Sequence, residues 1–521
     1  MQIRERSFVN SLRQTAQQGD ASAQYTLGAM YENGEGVVQN VVTAASWYRK
    51  AAKQGDEWAQ YTMGRIYECG QGVPQDMAKA ASWYRKAAEQ GVDWAEYALG
   101  DLYKKGKGVP QSFEVAATWY QKAAEQALAE AQYALARLYE DGEGITQDLV
   151  KAAAWYRKAA EQGDASAQDS LGDLYKQGDG VRQSFEKAGA WYRKAAEQGH
   201  AWAQLSLGEL YEKGDGVKQS STKALVWYNK AADQGNYFAQ HALGRLYEKE
   251  ENFAQAASWY LQAAEQDYEW AQVALARLYA HGRGVSQDFA KAVGWHRKAV
   301  EQGDAWAQNS FANLYGKIEP QNFTEAAVWY RKAAEQGYEP AQHSLAECYA
   351  EGRGVPQDFA EAAVWYRKAA EQGYELAQHD LAELYTKGRG VPLDFAEAAV
   401  WYRKAAEQGY VWAKYNLARL YKKGRGVPKD FAQAADWYRK AAEQGHAWAQ
   451  YVLGGLYKNG EGVTQDYECA YVWLSLSIKN GVFMNGVGKL RDAVAKELST
   501  AQFETAKGVL AEYFELYRAR R

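Results

Sequence analysis

The residues of this chain with chemical potential are seven histidines, three cysteines, many carboxylates and a recurrent G-x-G turn. Histidine and cysteine at metal-ligand spacing would hold zinc. Yet His200, His241, His281, His296, His343, His379 and His446 include no H-E-x-x-H run and no cysteine pair. His343 and His379 occupy the same slot in successive copies of a repeat, which predicts neighbours on an exposed groove rather than a metal pair. A G-x-G turn cradles phosphate when a strand precedes it and a helix follows. No strand pattern precedes these turns, and both glycines are explained by the turn itself. Carboxylates are spread over every face, and no nucleophile recurs with a base at a useful spacing. Cys69, Cys348 and Cys469 lie far apart with no recurring spacing, and Cys348 stands where other copies place a core leucine. The expectation is a chain that is not an enzyme, with no catalytic residue, no metal and no cofactor.

Chemistry of recognition is better represented. Of 20 tryptophans, thirteen recur beside a tyrosine, histidine or leucine in one motif, and the other seven share a second slot: Trp58, Trp94, Trp202, Trp270, Trp306, Trp412 and Trp448. Phe238 occupies that same slot, whereas sister copies have Ser166, Glu130 or Pro340. A core slot does not tolerate such exchange, so the slot is expected to be exposed. On a helix, side chains at about 100° per residue put this second position on one stripe with positions five and nine. Position five includes Tyr61, Tyr97, His241, His343 and His379, and position nine includes Arg245 and Arg277. A variable lining rich in Trp, Tyr and Arg on a constant scaffold has the composition of a protein-binding hot spot. Together these residues form the predicted partner-binding set.

The elements that must carry them come from repetition, which decides what kind of object a chain is. Aligned on "WYRKAAEQG", the 521 residues contain thirteen copies from Ala21 to about Asn480. Eleven copies are 36 residues long, the copy from Tyr237 is 32 and the copy from Ala305 is 34. Such units pack only on their neighbours, so the whole array is expected to be one elongated body without internal boundaries. The net charge of −4 is intermixed, leaving no basic footprint for nucleic acid. No apolar run approaches the roughly 18 to 20 residues of a membrane span, so no membrane insertion is expected.

Within the copy Ala201 to Asn236, Ala203, Leu207, Leu210, Tyr211 and Gly214 fall on one side of a first helix. Gly208, a slot that is Gly or Ala in every copy, points to close approach of a neighbouring helix. Gly214 fits a left-handed cap and Gly216 opens the turn. Five copies then place proline after valine, at Pro74, Pro110, Pro356, Pro392 and Pro428. Asp358 with Glu361 and Asp394 with Glu397 have capping-box spacing. The second helix is expected to bury Ala, Trp and Ala and to expose Arg, Lys, Glu and Gln as a solvated face. On that reading Trp227 is a core residue, and its truncation costs about 3 to 5 kcal/mol. The shortened loops "YEKEENF" and "YGKIEPQNF" are expected to change local twist while leaving their hairpins intact.

The pattern "A-x-A-Q-x-x-L-G-x-L-Y-x-x-G-x-G-V" followed by "A-x-x-W-Y-R-K-A-A-E-Q-G" resembles the Sel-one-like repeat (SLR) of bacterial type, a relative of the tetratricopeptide repeat. The resemblance implies an all-α fold: an α/α solenoid, a right-handed superhelix of thirteen hairpins whose first helices line a concave surface that holds partner proteins. It divides the chain into an N-terminal capping helix (1–20), thirteen repeats (21–480) and C-terminal capping helices (481–521). The paired cysteines that tie hairpins in the secreted branch of this family are missing here.

The function expected is a protein-interaction scaffold or adaptor that binds a protein partner along the groove, as a monomer. The alternatives are an inhibitor or immunity protein that blocks a toxic bacterial enzyme, and a cell-wall or glycan-binding protein with weak hydrolase activity. The opening "MQIRERSFVNSLRQTAQQGD" has charges where a secretory leader has an apolar run, which places the chain as written in the cytoplasm. A leader already removed would place it in the periplasm or outside the cell.

Overall fold

The structure is a computed structural model that describes residues 2–318, 323–482 and 486–519. Among the described residues there are twenty-nine helices and no strand, making an all-α solenoid of consecutive hairpins. The chain divides into two compact units, Met1–Asn252 and Phe253–Arg521. The division falls at the shortened loop of the seventh copy. The corresponding loop of the ninth copy lies largely outside the described residues, so its expected change of twist does too. The helices on either side of it, Ala305–Ile318 and Phe323–Glu335, pack together as a hairpin.

The sixth copy shows how each hairpin forms. Its first helix, Ala201–Lys213, starts where His200 Nδ1 accepts from the Ala203 N–H at 3.3 Å, and ends at Gly214 with φ +86. The second helix, Ser221–Asp233, starts at Ser220, whose Oγ accepts from the Lys223 N–H. The loop is closed by the Ser220 N–H donating to Tyr211 O at 2.9 Å and by Gln219 Nε2 donating to Glu212 O at 2.9 Å. The same closure explains why the expected capping boxes form by half. Asp358 accepts from Ala360 and Glu361 N–H groups, but its own N–H already donates to Tyr349 O at 2.9 Å and has nothing left for Glu361. Gly216 has a second role beyond the turn: a Cβ there would stand 2.4 Å from the Phe185 carbonyl carbon, in the second helix of the preceding hairpin. Glycine therefore lets one hairpin's loop seat on its neighbour.

The core differs from the sequence expectation at one residue type. In most hairpins the aromatic that fills the core is the tyrosine after the tryptophan; His296 and Leu474 take its place in the eighth and thirteenth copies, and Trp401 and Trp473 are buried as expected. Tyr48, Tyr84, Tyr120, Tyr156, Tyr192 and Tyr228 are at most 2% exposed, flanked by buried alanines one turn either side. Trp227 is only partly buried, and Lys230 Nζ lies 4.2 Å over its ring. The tyrosine also explains the small residue at Gly208, because a Cβ there would meet the Tyr228 ring at 2.6 Å. It is the paired helix's own side chain that demands the space.

Polar residues tie one hairpin to the next. Gln204, 3% exposed, donates through Nε2 to Ala196 O at 3.0 Å and accepts at Oε1 from Gln234 Nε2 at 2.9 Å. Buried glutamines recur at this slot along both units, for example Gln60, Gln168, Gln378 and Gln450. Arg193 NH2 donates to the Tyr211 hydroxyl of the next hairpin at 3.0 Å, and Arg157 to Tyr175 likewise. The R-K pair expected as a solvated face is therefore divided: the arginine bridges hairpins and the lysine covers the tryptophan three residues before it.

Candidate protein-binding surface

The first helices present a layered row of aromatic residues on the side away from the hairpin core. Its innermost layer is the buried tyrosine of the second helix. On it lies position five: Tyr61 packs on Tyr84 at 5.8 Å and Tyr97 on Tyr120 at 5.7 Å between ring centroids. Position two forms the outer layer, three residues earlier and one turn along the same helix. Trp58 meets Tyr61 edge-on at 6.2 Å, and Trp94 meets Tyr97 at 6.3 Å. At Trp58, Trp94 and Trp448 a tyrosine ring lies beneath the indole without burying it, whereas Trp202, Trp270 and Trp306 stand over Leu205, Val273 and Asn309 at position five.

Exposure separates the outer layer from the rest. Trp58, Trp94, Trp202, Trp270, Trp412 and Trp448 are 37% to 50% exposed. Phe238 and Trp306 are partly buried, each by a neighbour of its own kind. Trp202 packs against Phe238 at 5.4 Å in the first unit, and Trp270 stacks on Trp306 at 4.1 Å with an interplanar angle of 19° in the second. Aromatic pairs between successive hairpins thus extend the surface beyond one rung. Water-exposed indoles are costly to leave uncovered and return that free energy when a partner covers them.

The histidines at position five do not lie on this surface. His343 and His379 are 7% and 8% exposed, against the expectation of open groove residues. His343 contacts the Tyr366 and Tyr374 rings, and His379 those of Tyr402 and Tyr410, so each is walled by aromatics from both sides. Asp380 joins the two: His343 Nε2 is 2.8 Å from Asp380 Oδ2 and His379 Nδ1 is 2.9 Å from Asp380 Oδ1. Burial alone would raise the Asp380 carboxyl, but these two hydrogen bonds hold it at about 2. The chain is a structural polar network continued by His379 Nε2 to Asn416 at 3.1 Å. Among the described residues no group of three or more His, Cys, Asp or Glu is placed to hold a metal ion. His241 is partly buried, and its imidazole is pushed down to about 4, chiefly by burial and then by Arg245.

At position nine, Arg245 and Arg277 are exposed. Arg245 NH2 clasps Glu212 of the preceding hairpin at 2.9 and 3.1 Å, so it is anchored within the chain as well as accessible. Cys348 is 4% exposed, and burial pushes its thiol up to about 11, which keeps it in the unreactive thiol form. Sequence reasoning missed the middle layer's burial because it treated positions two, five and nine as one stripe. The signal was present, since position five is aromatic, His, Leu or Val in most copies while position two ranges from Trp to Glu.

Thirteen consecutive segments, from 21–56 through 449–482, match the Sel1 repeat family. Among solved structures, the chain is similar to c5321, a protective antigen present in uropathogenic Escherichia coli strains and displaying an SLR fold. The two are 34% identical over 97% of this chain and 94% of that one, with a TM-score of 0.46. It is also similar to a Sel1 repeat protein from Oxalobacter formigenes, 33% identical over 59% of this chain and 90% of that one, TM-score 0.49. A more distant likeness is immunity protein Pa5087 from Pseudomonas aeruginosa, 22% identical over 41% of this chain and 81% of that one, TM-score 0.26. No curated protein matches the chain. The matched segments run through the hairpins from end to end, and the chain belongs to the Sel1 repeat family, whose tetratricopeptide-like fold commonly serves as a protein-interaction scaffold.

Proposed function

We propose that this protein is a non-enzymatic adaptor that captures a polypeptide partner on the aromatic face of its first helices. The observation that carries the reading is the outer layer itself: six tryptophans stay 37% to 50% exposed on helices whose other faces are packed. Tryptophan, tyrosine and arginine dominate the binding energy of protein interfaces, and large exposed aromatics mark such sites. Trp58, Trp94, Trp202, Trp270, Trp306, Trp412 and Trp448 with Phe238 are the anchors. Tyr61, Tyr97 and His241 support them from beneath, and Arg245 and Arg277 supply the polar rim. His343 and His379 contribute by fixing the helices through Asp380. In this reading the helices Gln2–Gln17, Val487–Ala495 and Thr500–Ala519 cap the array, and the chain acts as a monomer.

The test is a triple variant, Trp202→Ser, Trp270→Ser, Trp306→Ser, compared with the unaltered chain as bait in its source cell. Retention of the circular-dichroism melt with loss of the partner supports the reading. A partner retained at full occupancy places the binding surface elsewhere, and a collapsed melt shows that the indoles serve packing.

A further inference from the structure

The repeat provides an internal comparison for one buried group, the hydroxyl of the core tyrosine. In the first unit every such hydroxyl donates to a carboxylate of its own hairpin. Tyr48, Tyr84, Tyr156 and Tyr228 use Glu32, Glu68, Glu140 and Glu212 at position twelve, at 2.5 to 2.7 Å. Where position twelve is Lys104 or Lys176, Tyr120 and Tyr192 use Asp101 and Asp173 at position nine, at 2.6 and 2.5 Å. In the sixth hairpin the carboxylate is also clasped by the next hairpin's Arg245, so Glu212 bridges a tyrosine hydroxyl and a guanidinium.

The eleventh hairpin keeps the two donors and lacks the bridge. Tyr402 takes the place of Tyr228, and Arg419 takes that of Arg245, but position twelve is Thr386, whose hydroxyl donates to Glu383 O at 2.8 Å. The shorter side chain leaves a cavity of about 250 Å³ lined by Tyr402, Thr386 and Arg419. Three more cations, Lys387, Lys423 and Arg425, line it, against one carboxylate, Glu383. Glu383 is turned to Lys387, with which it forms a close ion pair. Arg419 NH1 donates to Asn416 Oδ1 at 3.2 Å, and Arg425 lies over the Phe395 ring at 5.3 Å. Among the described residues no carboxylate pairs with Arg419, Lys423 or Arg425.

We propose that this cavity is a binding site for a carboxylate, which enters where Glu212 stands in the sixth hairpin and bridges the Tyr402 hydroxyl and the Arg419 guanidinium. A planar carboxylate matches a guanidinium in two-point contact, and a phenol donor completes the same set that the chain satisfies internally in the sixth hairpin. Two sources share this chemistry: a free dicarboxylic acid, and a glutamate side chain of a bound polypeptide. The site does not depend on the aromatic face, and its test uses defined probes.

Isothermal titration of the full chain with glutarate, with a hexaglutamate peptide and with inorganic phosphate is the experiment. Binding of glutarate or the peptide, weakened about tenfold or more by Arg419→Gln, is expected, since a charge-assisted contact is lost. Thr386→Glu is the sharper variant, because it returns the internal carboxylate: it should abolish binding and raise the melting temperature. Glu383→Gln removes the competing acid and should tighten binding. Tighter binding of the peptide than of glutarate assigns the site to a polypeptide, and equal binding assigns it to the free acid. Absence of binding by both, binding indifferent to Arg419→Gln and Glu383→Gln, or phosphate bound more tightly than either carboxylate overturns the proposal.

Discussion

Truncating Tyr228 and Trp227 in turn separates the observed core from the one the motif suggests. Tyr228 is 0% exposed, lies over Gly208 and donates to Glu212 at 2.7 Å. Removing the ring in Tyr228→Ala opens a cavity worth about 3 to 5 kcal/mol, and losing the charge-assisted hydrogen bond adds roughly 1 to 3 kcal/mol. Tyr228→Phe, which keeps the ring, isolates that second contribution. Trp227 is partly buried and covered on its outer face by Lys230 at 4.2 Å. Its truncation forfeits part of an indole's burial and one cation–π contact, about 1 to 2 kcal/mol. Repeats couple to nearest neighbours, so the loss is concentrated around the altered hairpin and is sized best by a local measurement. Hydrogen exchange read by mass spectrometry across 185–236 is the suitable assay. Protection there should fall most in Tyr228→Ala, less in Tyr228→Phe and Trp227→Ala. A Trp227→Ala variant that loosens the hairpin as much as Tyr228→Ala refutes the assignment of the core.

Three further outcomes follow from single residues. Asp169 is pushed up to about 7, chiefly by burial and then by Asp173, against the pull of Lys176; its Oδ1 has no hydrogen-bond partner and its Oδ2 is 3.6 Å from His200. The folded chain therefore holds a proton that the unfolded chain releases near pH 4, and stability falls as pH rises from about 4 to about 7. Asp169→Asn should remove that fall and stabilise by roughly 2 to 4 kcal/mol above pH 7; a variant-to-wild-type difference in urea midpoint that is equal at pH 4 and pH 8 contradicts this. Gln204→Leu removes one hydrogen bond each from Ala196 O and Gln234 Nε2, which keep the Gly199 N–H and Gly199 O as partners, and should cost about 1 to 2 kcal/mol for the two bonds together, visible as faster exchange at the junction of the fifth and sixth hairpins. Trp202→Ser should change stability by less than about 1 kcal/mol in a local exchange measurement, because Trp202 is 50% exposed and the preceding copy carries Ser166 in that slot.

Much of the fold was legible because a 36-residue period leaves few alternatives. The glycine caps, the Asp and Ser N-caps and the buried Ala203, Leu207, Leu210 and Tyr211 follow from helical spacing and turn chemistry alone. The second helix was misread by one residue. Trp and Tyr are adjacent, so they lie about 100° apart on the helix, and hydrophobicity favours the indole. The alanines decide otherwise: Ala44, Ala45, Ala51 and Ala52 centre on Tyr48 at three- and four-residue steps, and Trp47 falls to one side. The glutamine ladder escaped notice because glutamine is ordinarily a surface residue, and its partners are a carbonyl eight residues back and a side chain thirty residues ahead.

The candidate sites were legible to different degrees for a reason that lies in what a repeat reveals. Substitution at position two, Ser166 for Trp202, shows in the sequence that the slot is free of the core, because six of the thirteen copies place a residue other than tryptophan there without altering the scaffold around it. The exchange of Glu212 for Thr386 at position twelve has the same form and a different meaning. Nothing in the sequence says that this slot serves a buried tyrosine sixteen residues later, or that the following hairpin's arginine closes over it. Only when Tyr228, Glu212 and Arg245 are seen as one bridge does Thr386 become an omission rather than a tolerated surface change. On the two proposals, variation among copies marks a candidate binding position in two ways: by adding an exposed aromatic where the scaffold needs none, as at Trp202, or by withdrawing a group that the scaffold elsewhere supplies to itself, as at Thr386.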